Sequence, residues 1–324
     1  MDPRLVTAII VVIGVPAVLV GYIVGTEQAL RLVPERRRAT VRPWLWLFPA
    51  LAFLLVYLVY PTIGTLIQSF ENNAGKFVGF NNYSWFLNSS DGIGSLFNNI
   101  IWLVLLPAIT VGVGLLFAVL VDRVRYETIA KSVIFLPLAI SATAASVIWL
   151  FMFAYQPPGA AQTGTLNAII SGLGGAPVAF IANSTFKFNT LMLIVVMSWM
   201  WTGFGMVIIS AALKGISPEL LEAARVDGAN ELEVFRHITF PLLLPTLTVV
   251  ATVMIITALK AFDIVYVMTN GNFDTQVIAN SMYTWMFTNG NFGRGAVLAI
   301  VLMIAVIPVM AFNIRRFQVQ EAIR

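Results

Sequence analysis

Twenty residues from Pro218 to His237 hold seven charged side chains and the only histidine, in a 324-residue sequence that is 59% hydrophobic and 10% charged. The stretch reads EAARVDGAN from Glu222 and continues ELEVFRHITFP to Pro241. Carboxylates at Glu222 and Asp227 and a guanidinium at Arg225 make it a polar island between two long apolar runs. They do not equip it for bond breaking. The chain has no cysteine, and H-E-x-x-H and G-x-S-x-G are missing. Gly75-Lys76 has neither the spacing nor the hydroxyl of a G-x-x-x-x-G-K-[ST] phosphate loop. His237, without a second histidine, reads as the end of a helix at a membrane surface. No catalytic or metal-binding set is legible, and the chain is not expected to be an enzyme. A second ionisable pair, Lys260 and Asp263, stands three residues apart inside an apolar run, within reach on one helix face. Such groups are costly there unless paired or turned to a cavity. Two readings follow: a polar lining or gate, or an internal ion pair whose lysine snorkels outward.

The elements that must position these groups are membrane helices. Mean hydropathy is +0.88, and a charge content of 10% is far below the roughly 25% of soluble domains. Apolar runs of bilayer-spanning length occur at residues 5–25, 44–67, 99–121, 132–154, 189–213, 242–268 and 295–312. The expected fold is therefore all-α, a polytopic bundle of about seven transmembrane helices. Pro107, Gly112, Gly114, Pro137, Gly203, Gly205 and Pro308 fall inside them, so kinks are expected. The first run lacks a small-residue cleavage site and is followed by basic residues, as an uncleaved helix would be.

Of the nineteen basic residues, fourteen (among them Arg31, Arg36, Arg37, Arg38, Arg42, Arg125, Lys131, Lys214 and Arg225) lie in one set of alternating loops. Only Arg4, Lys76, Lys187 and Arg294 lie in the other. The bias places the amino terminus outside, the carboxy terminus in the cytoplasm and the polar stretch on the cytoplasmic face. It also accounts for the net charge of +4 by topology and bilayer-surface contact, without nucleic acid.

Locally the polar stretch reads as two short helices and an elbow. Ser217-Pro218-Glu219 supplies an N-cap, a proline at the first helical position and an early acid. The first helix runs to about Asp227, where Gly228 can take a positive φ. Asn230 and Glu233 form a capping-box start for a second helix that continues to Ile238, before Pro241 opens the next span. Leu220, Ala223, Ala224 and Asp227 share one face, with Leu221 flanking them. Periodicity alone leaves open whether that face docks a partner or packs beneath the bundle.

Glu222-Ala223-Ala224, a glycine six positions after the glutamate, and Ile238 with Pro241 resemble the EAA signature of permease subunits of binding-protein-dependent ABC importers. EAARVDGA with FRHITFPLLLP is most similar to sugar permeases of the maltose type, although Phe240 stands where that family usually has leucine. The resemblance runs from about Trp44 to the end, through RPWLWLFPALAFLLVYLVYP, FLPLAIS and FDIVYVMTNG. It implies an amino-terminal helix and basic linker over residues 1–43 and a six-helix importer core over 44–324, with coupling helices at 217–241. It also implies a bacterial cytoplasmic membrane, a dimeric ATP-hydrolysing partner, a second permease that is a different chain, and an extracytoplasmic binding protein that delivers an oligosaccharide or α-glucoside. This chain would carry no cofactor; ATP and magnesium would sit in the ATPase. Leu220, Leu221, Glu222, Ala223, Ala224, Asp227, Gly228, Ile238 and Pro241 would form the docking elbow.

By alignment, the family's sugar-path positions fall at Leu138, Ala142, Met197, Trp199, Met200, Met254, Ala258 and Ala261, with Trp201 and Thr257 as neighbours. Only Trp199 among the aligned positions suits a sugar ring. A secondary transporter or channel working without an ATPase is the rival class. It would need coupling-ion or filter chemistry, and Asp263 is the one acid well inside a span. Finally, Thr269-Asn270-Gly271-Asn272-Phe273 recurs at Thr288-Asn289-Gly290-Asn291-Phe292. The two Asn-Gly turns predict a short helix between them, at the outer interface.

Overall fold

A computed structural model describes residues 3–122 and 124–322. The helices in chain order are α1 (Pro3–Arg31), α2 (Glu35–Leu54), α3 (Tyr60–Gln68), α4 (Asn81–Asn88), α5 (Ser90–Val121), α6 (Glu127–Phe135), α7 (Ala142–Met152), α8 (Thr165–Gly172), α9 (Phe188–Lys214), α10 (Pro218–Val226), α11 (Glu231–Val234), α12 (Phe240–Leu259), α13 (Asp263–Met268), α14 (Ile278–Tyr283) and α15 (Phe292–Ala322). Among the described residues there is no strand, only an isolated bridge between Glu71 and Phe77. Five helical stretches are long and apolar enough to cross a membrane, or six when a bent pair is taken as one span, and Phe292–Pro308 is a shorter apolar stretch. The chain divides into two compact units, Met1–Thr65 and Leu66–Arg324.

In the first unit α1 and α2 form a hairpin. Arg38 closes the turn by donating to the carbonyls of Val33 at 2.8 Å and Arg31 at 3.2 Å, which supplies donors to carbonyls left free at the end of α1. Arg42 pairs with Glu27 at 2.9 Å, and the Tyr22 hydroxyl donates to the Leu45 carbonyl. Most of the apolar surface faces outward; Val12 and Val18 are each 71% exposed, as suits helices solvated by lipid.

The second unit is built around α5 and α9. Gly114 lets them meet at backbone distance: a Cβ there would stand 3.1 Å from the Met206 nitrogen, the small-residue contact that membrane helices use for close packing. Ala118, Met206, Ile209, Leu243, Leu247 and Val250 form one core from α5, α9 and α12. Trp102, Leu106, Leu193, Val196 and Ile264 belong to a second, nearer the other end.

Two expected spans are interrupted. Residues 132–154 are not one helix: α6 and α7 meet at an angle of 101°. Pro137 is buried in a 3-10 turn, Ile140 is extended (φ −90°, ψ 139°), and Ser141 restarts the chain by accepting the Ala144 amide at 3.2 Å. Residues 242–268 are divided as well, with α12 ending at Leu259 and α13 beginning at Asp263.

Two other places keep their continuity through a wide turn, at Leu55–Val59 and Phe235–Thr239. Each is followed, after one aromatic residue, by a proline (Tyr60-Pro61 and Phe240-Pro241). A proline in a helix interior removes an amide and crowds the carbonyl four residues back. Here the preceding amide reaches one residue further, from Tyr60 to Leu55 and from Phe240 to Phe235.

The predicted short helix between the two Asn-Gly turns is α14, extended by a wide turn over Thr284–Thr288. Gly271 and Gly290 both have positive φ (78° and 62°). α14 is an inner element, with Ile278, Ala279, Asn280 and Ser281 buried. Asn98 donates to the carbonyls of Asp274 and Gln276 at 2.9 and 2.7 Å, and Asn99 accepts the Ile278 amide at 2.8 Å. Asn189 donates to Phe273 at 2.6 Å. Asp91 accepts from the Ser281 hydroxyl and the Trp285 indole, both at 2.8 Å. Arg294 lies over the rings of Trp85 and Trp285 at 4.7 and 4.6 Å. Asp91→Ala would orphan two part-buried donors and is expected to cost about 1–3 kcal/mol. A lowered thermal midpoint in detergent, less lowered in Asp91→Asn, is the measurement.

Candidate functional site

The elbow takes its shape from local chemistry. α10 opens with Pro218 at its first position and Glu219 in its first turn. Ser217 does not cap a backbone amide as expected; its hydroxyl donates to the Glu219 carboxylate instead. At the other end the Asp227 amide returns to Ala223 at 2.9 Å, that of Gly228 to Arg225 at 3.1 Å and that of Ala229 to Ala224 at 3.0 Å. Gly228 makes this closure possible with φ +89°, and a Cβ added there would meet no atom within 4 Å. Only backbone strain therefore reserves the position for glycine. Asn230 and Glu233 form the expected capping box, at 3.0 and 2.8 Å.

Two features were not legible. Arg225 crosses the elbow to Glu231, with Nε 2.7 Å from one carboxylate oxygen and Nη2 3.4 Å from the other. That hydrogen bond, with the charge of Glu231, raises the Arg225 pKa above its already high ordinary value, so the brace is charged at any physiological pH. The expectation that the second short helix ends before the next span is also corrected. α11 passes through the wide turn at Phe235–Thr239 directly into α12, forming a continuous helical stretch from Glu231 to Leu259. Ile238 lies in that wide turn, half-buried, and Pro241 stands exposed just after it. The elbow is one end of a membrane helix.

The face expected to be shared by Leu220, Ala223, Ala224 and Asp227 divides. Leu220 (45% exposed), Ala223, Asp227, Glu222 and Gly228 point outward. Ala224 and Leu221 are half-buried. Leu221 lines a cleft of about 430 Å³ with Arg225, Glu231, Phe235 and Asp122. Val226 and Leu232, 86% and 74% exposed, extend the outward apolar surface; a helical projection of the first helix alone does not bring Leu232 to it.

Behind the elbow Glu127 pairs with Lys131 and with Lys214, the latter at 2.6 Å, and Lys131 also reaches the Ser210 hydroxyl. Lysines that read as topology signals thus also strap the start of α6 to the end of α9.

The aligned path residues are brought together, but mostly inside this chain's core. Met197, Met200, Ala258 and Ala261 are buried in one apolar cluster, against which Ala142, Trp199 and Trp201 pack. Met254 is fully buried. Trp199 stands edge-on to Trp149 at 5.6 Å and Trp201 edge-on to Phe204 at 5.5 Å. The Thr257 hydroxyl donates to the Val253 carbonyl at 2.8 Å, which occupies its hydrogen. Leu138 and Ala142 flank the break between α6 and α7, half-buried. Lys260 and Asp263 do not share a helix face: Lys260 follows the last residue of α12 and Asp263 begins α13. Both are exposed, and no ion pair joins them among the described residues.

Residues 74–323 match the family of binding-protein-dependent transport system inner membrane components. The chain is 50% identical over 281 residues to the osmoprotective compounds uptake permease protein GgtC of Synechocystis sp., covering 86% of this chain and all of that one. It is 48% identical over 279 residues to the alpha-glucoside transport system permease protein AglF of Rhizobium meliloti, covering 85% and 82%. Among solved structures it resembles a chain of the bacterial alginate ABC transporter in complex with alginate pentasaccharide-bound periplasmic protein. The TM-score is 0.72 at 20% identity, over 86% of this chain and 94% of that chain, a likeness of fold. The chain belongs to the family of binding-protein-dependent transport system inner membrane components and is a permease subunit of an ABC importer.

Proposed function

We propose that this permease forms half of a translocation pathway for a sugar, an α-glucoside or a small oligosaccharide, in a bacterial cytoplasmic membrane. The near-half identity to relatives named for alpha-glucosides and for osmoprotective compounds carries this reading. An extracytoplasmic binding protein delivers the cargo, a different permease chain forms the other half, and an ATPase dimer holding ATP and magnesium drives the cycle. The loop charge bias supports an amino terminus outside and the elbow in the cytoplasm.

The elbow is the docking point for the ATPase. Its outward surface of Leu220, Ala223, Val226 and Leu232, with Glu222 and Asp227 among them, offers apolar contact and two exposed carboxylates to a basic cleft. Its stiffness follows from the capping box, the Arg225–Glu231 brace and the unbroken passage into α12. A push on α10 then becomes a rigid displacement of a membrane helix.

Reconstitution of the chain with its ATPase, second permease and binding protein in liposomes tests the reading. ATP hydrolysis stimulated by sugar-loaded binding protein, with accumulation of labelled α-glucoside, is the expected result. Uptake by the chain alone, without ATP, would overturn the importer coupling; stimulation only by a non-carbohydrate cargo would overturn the sugar.

A further inference from the structure

The path positions transferred by alignment are largely sealed, whereas Lys260 and Asp263 are open. They flank a break inside an apolar run that extends from Phe240 to Met268, both exposed and neither in an ion pair among the described residues. An unpaired charge facing hydrocarbon is costly, so ionisable groups inside apolar runs turn to partners or to water. Two exposed ionisable residues, one on each side of the break, mark a segment turned to water or protein, not to lipid.

Beside them lies a connected set of aromatic rings. Phe262 stacks on Tyr266 at 5.1 Å, Phe262 and Tyr283 are 5.4 Å apart, Tyr266 and Tyr283 5.2 Å, and Tyr283 and Phe287 5.2 Å. Tyr266 is 39% exposed and Phe287 67%. The set borders a cleft of about 400 Å³ lined by Lys260, Phe262, Tyr283, Met282, Leu302 and Met303, within the size range of small-ligand sites. Sugar rings present C–H faces that aromatic rings can cover and hydroxyls that an ammonium, a carboxylate or a phenol can bind. This surface supplies both within a few residues.

We propose that Phe262, Tyr266, Tyr283 and Phe287, with Lys260 and Asp263 at their edge, form a carbohydrate-contact strip on the pathway face of this permease. The assignment rests on the sugar reading of the cargo. It moves the sugar contacts from the buried positions aligned with the maltose-type family to the exposed break between α12 and α13 and the ring-bearing segment after it. The break matters because it frees the ends of two helices and lets Lys260 and Asp263 point away from the packed core.

The test uses the complete importer in liposomes, with radiolabelled maltose and trehalose as probes. Wild type is compared with Tyr266→Ala, Phe287→Ala, the double variant, Tyr266→Phe and Lys260→Met. The double variant is expected to lower sugar moved per ATP hydrolysed by about tenfold, a loss of the size that aromatic contacts of up to about 1.5 kcal/mol confer. Stimulation of hydrolysis by loaded binding protein should remain within about twofold, because the elbow is untouched. Tyr266→Phe, which keeps the ring, should retain most transport. Unchanged transport in the double variant, as for a lipid-facing patch, would overturn the proposal. So would separation of the two permeases on gel filtration, as for a patch that only joins subunits. Failure of wild type to import either sugar would instead count against the sugar reading, so the two failures are distinguishable.

Discussion

Gly228→Asp is expected to lower ATP-driven uptake by more than about tenfold while leaving membrane insertion intact. Gly228 holds φ +89° with open space where a side chain would project. A non-glycine residue in left-handed backbone costs roughly 1–2 kcal/mol, a factor of about 5–30 in the population of the closed elbow. The new carboxylate would also join Asp227 and Glu222 on the surface proposed to meet the ATPase, where a charge buried without a partner adds its own desolvation cost. Gly228→Ala separates the two effects, since it introduces the strain without the charge; an intermediate loss is expected. Co-purification of the ATPase with each variant, alongside uptake in liposomes, measures docking and coupling together. If Gly228→Asp transports like wild type, the elbow is not in the coupling path.

Gly203→Leu is expected to have the largest effect on stability. A Cβ at Gly203 would come within 2.5 Å of both the Ile134 carbonyl oxygen and the Phe135 Cα. Both are backbone atoms at the end of α6, immediately before the break, and cannot rotate aside. Even Gly203→Ala must therefore push α6 from α9, at a cost of about 1–3 kcal/mol for overpacking, and leucine should exceed that. The displacement would stretch the contacts of Glu127 with Lys214 and of Lys131 with Ser210 and shift the wall bearing Leu138. Thermal unfolding in detergent should show a clear drop for alanine and little folded protein for leucine. A midpoint for Gly203→Ala equal to wild type would show that the two helices are not held as close as described.

The elbow was readable because its determinants are local. Asn230 and Glu233 are three residues apart, Gly228 follows the last turn of α10, and Pro218 sits where a helix tolerates proline. The Arg225–Glu231 brace was not readable, because it depends on the angle between two helices and not on spacing along either. Ser217 reads as a cap, yet its hydroxyl turns to the Glu219 carboxylate two residues on, a second local partner that spacing alone does not rank. The break at Ile140 has its causes in plain view, Pro137 and Ser141, yet an apolar run of suitable length reads as one span until the turn is seen.

The break at Lys260 differs in kind. No proline or glycine lies between Leu259 and Asp263, and a helical reading puts Lys260 and Asp263 on one face. The residues that organise the outer segment are elsewhere: Asp91, Asn98, Asn99 and Asn189, far away in the chain, hold residues 273–285 by side-chain hydrogen bonds. In an apolar interior such bonds are costly to leave unmade, so long-range contacts can outweigh local helix preference. Membrane class and elbow follow from composition, charge placement and spacing, all of which act over a turn or two of chain. Which side chains are sealed in the core and which stand open at a helix break is set by packing between distant segments. For that reason the family signature was legible in the residues, and the open surface at the break emerged only from the fold.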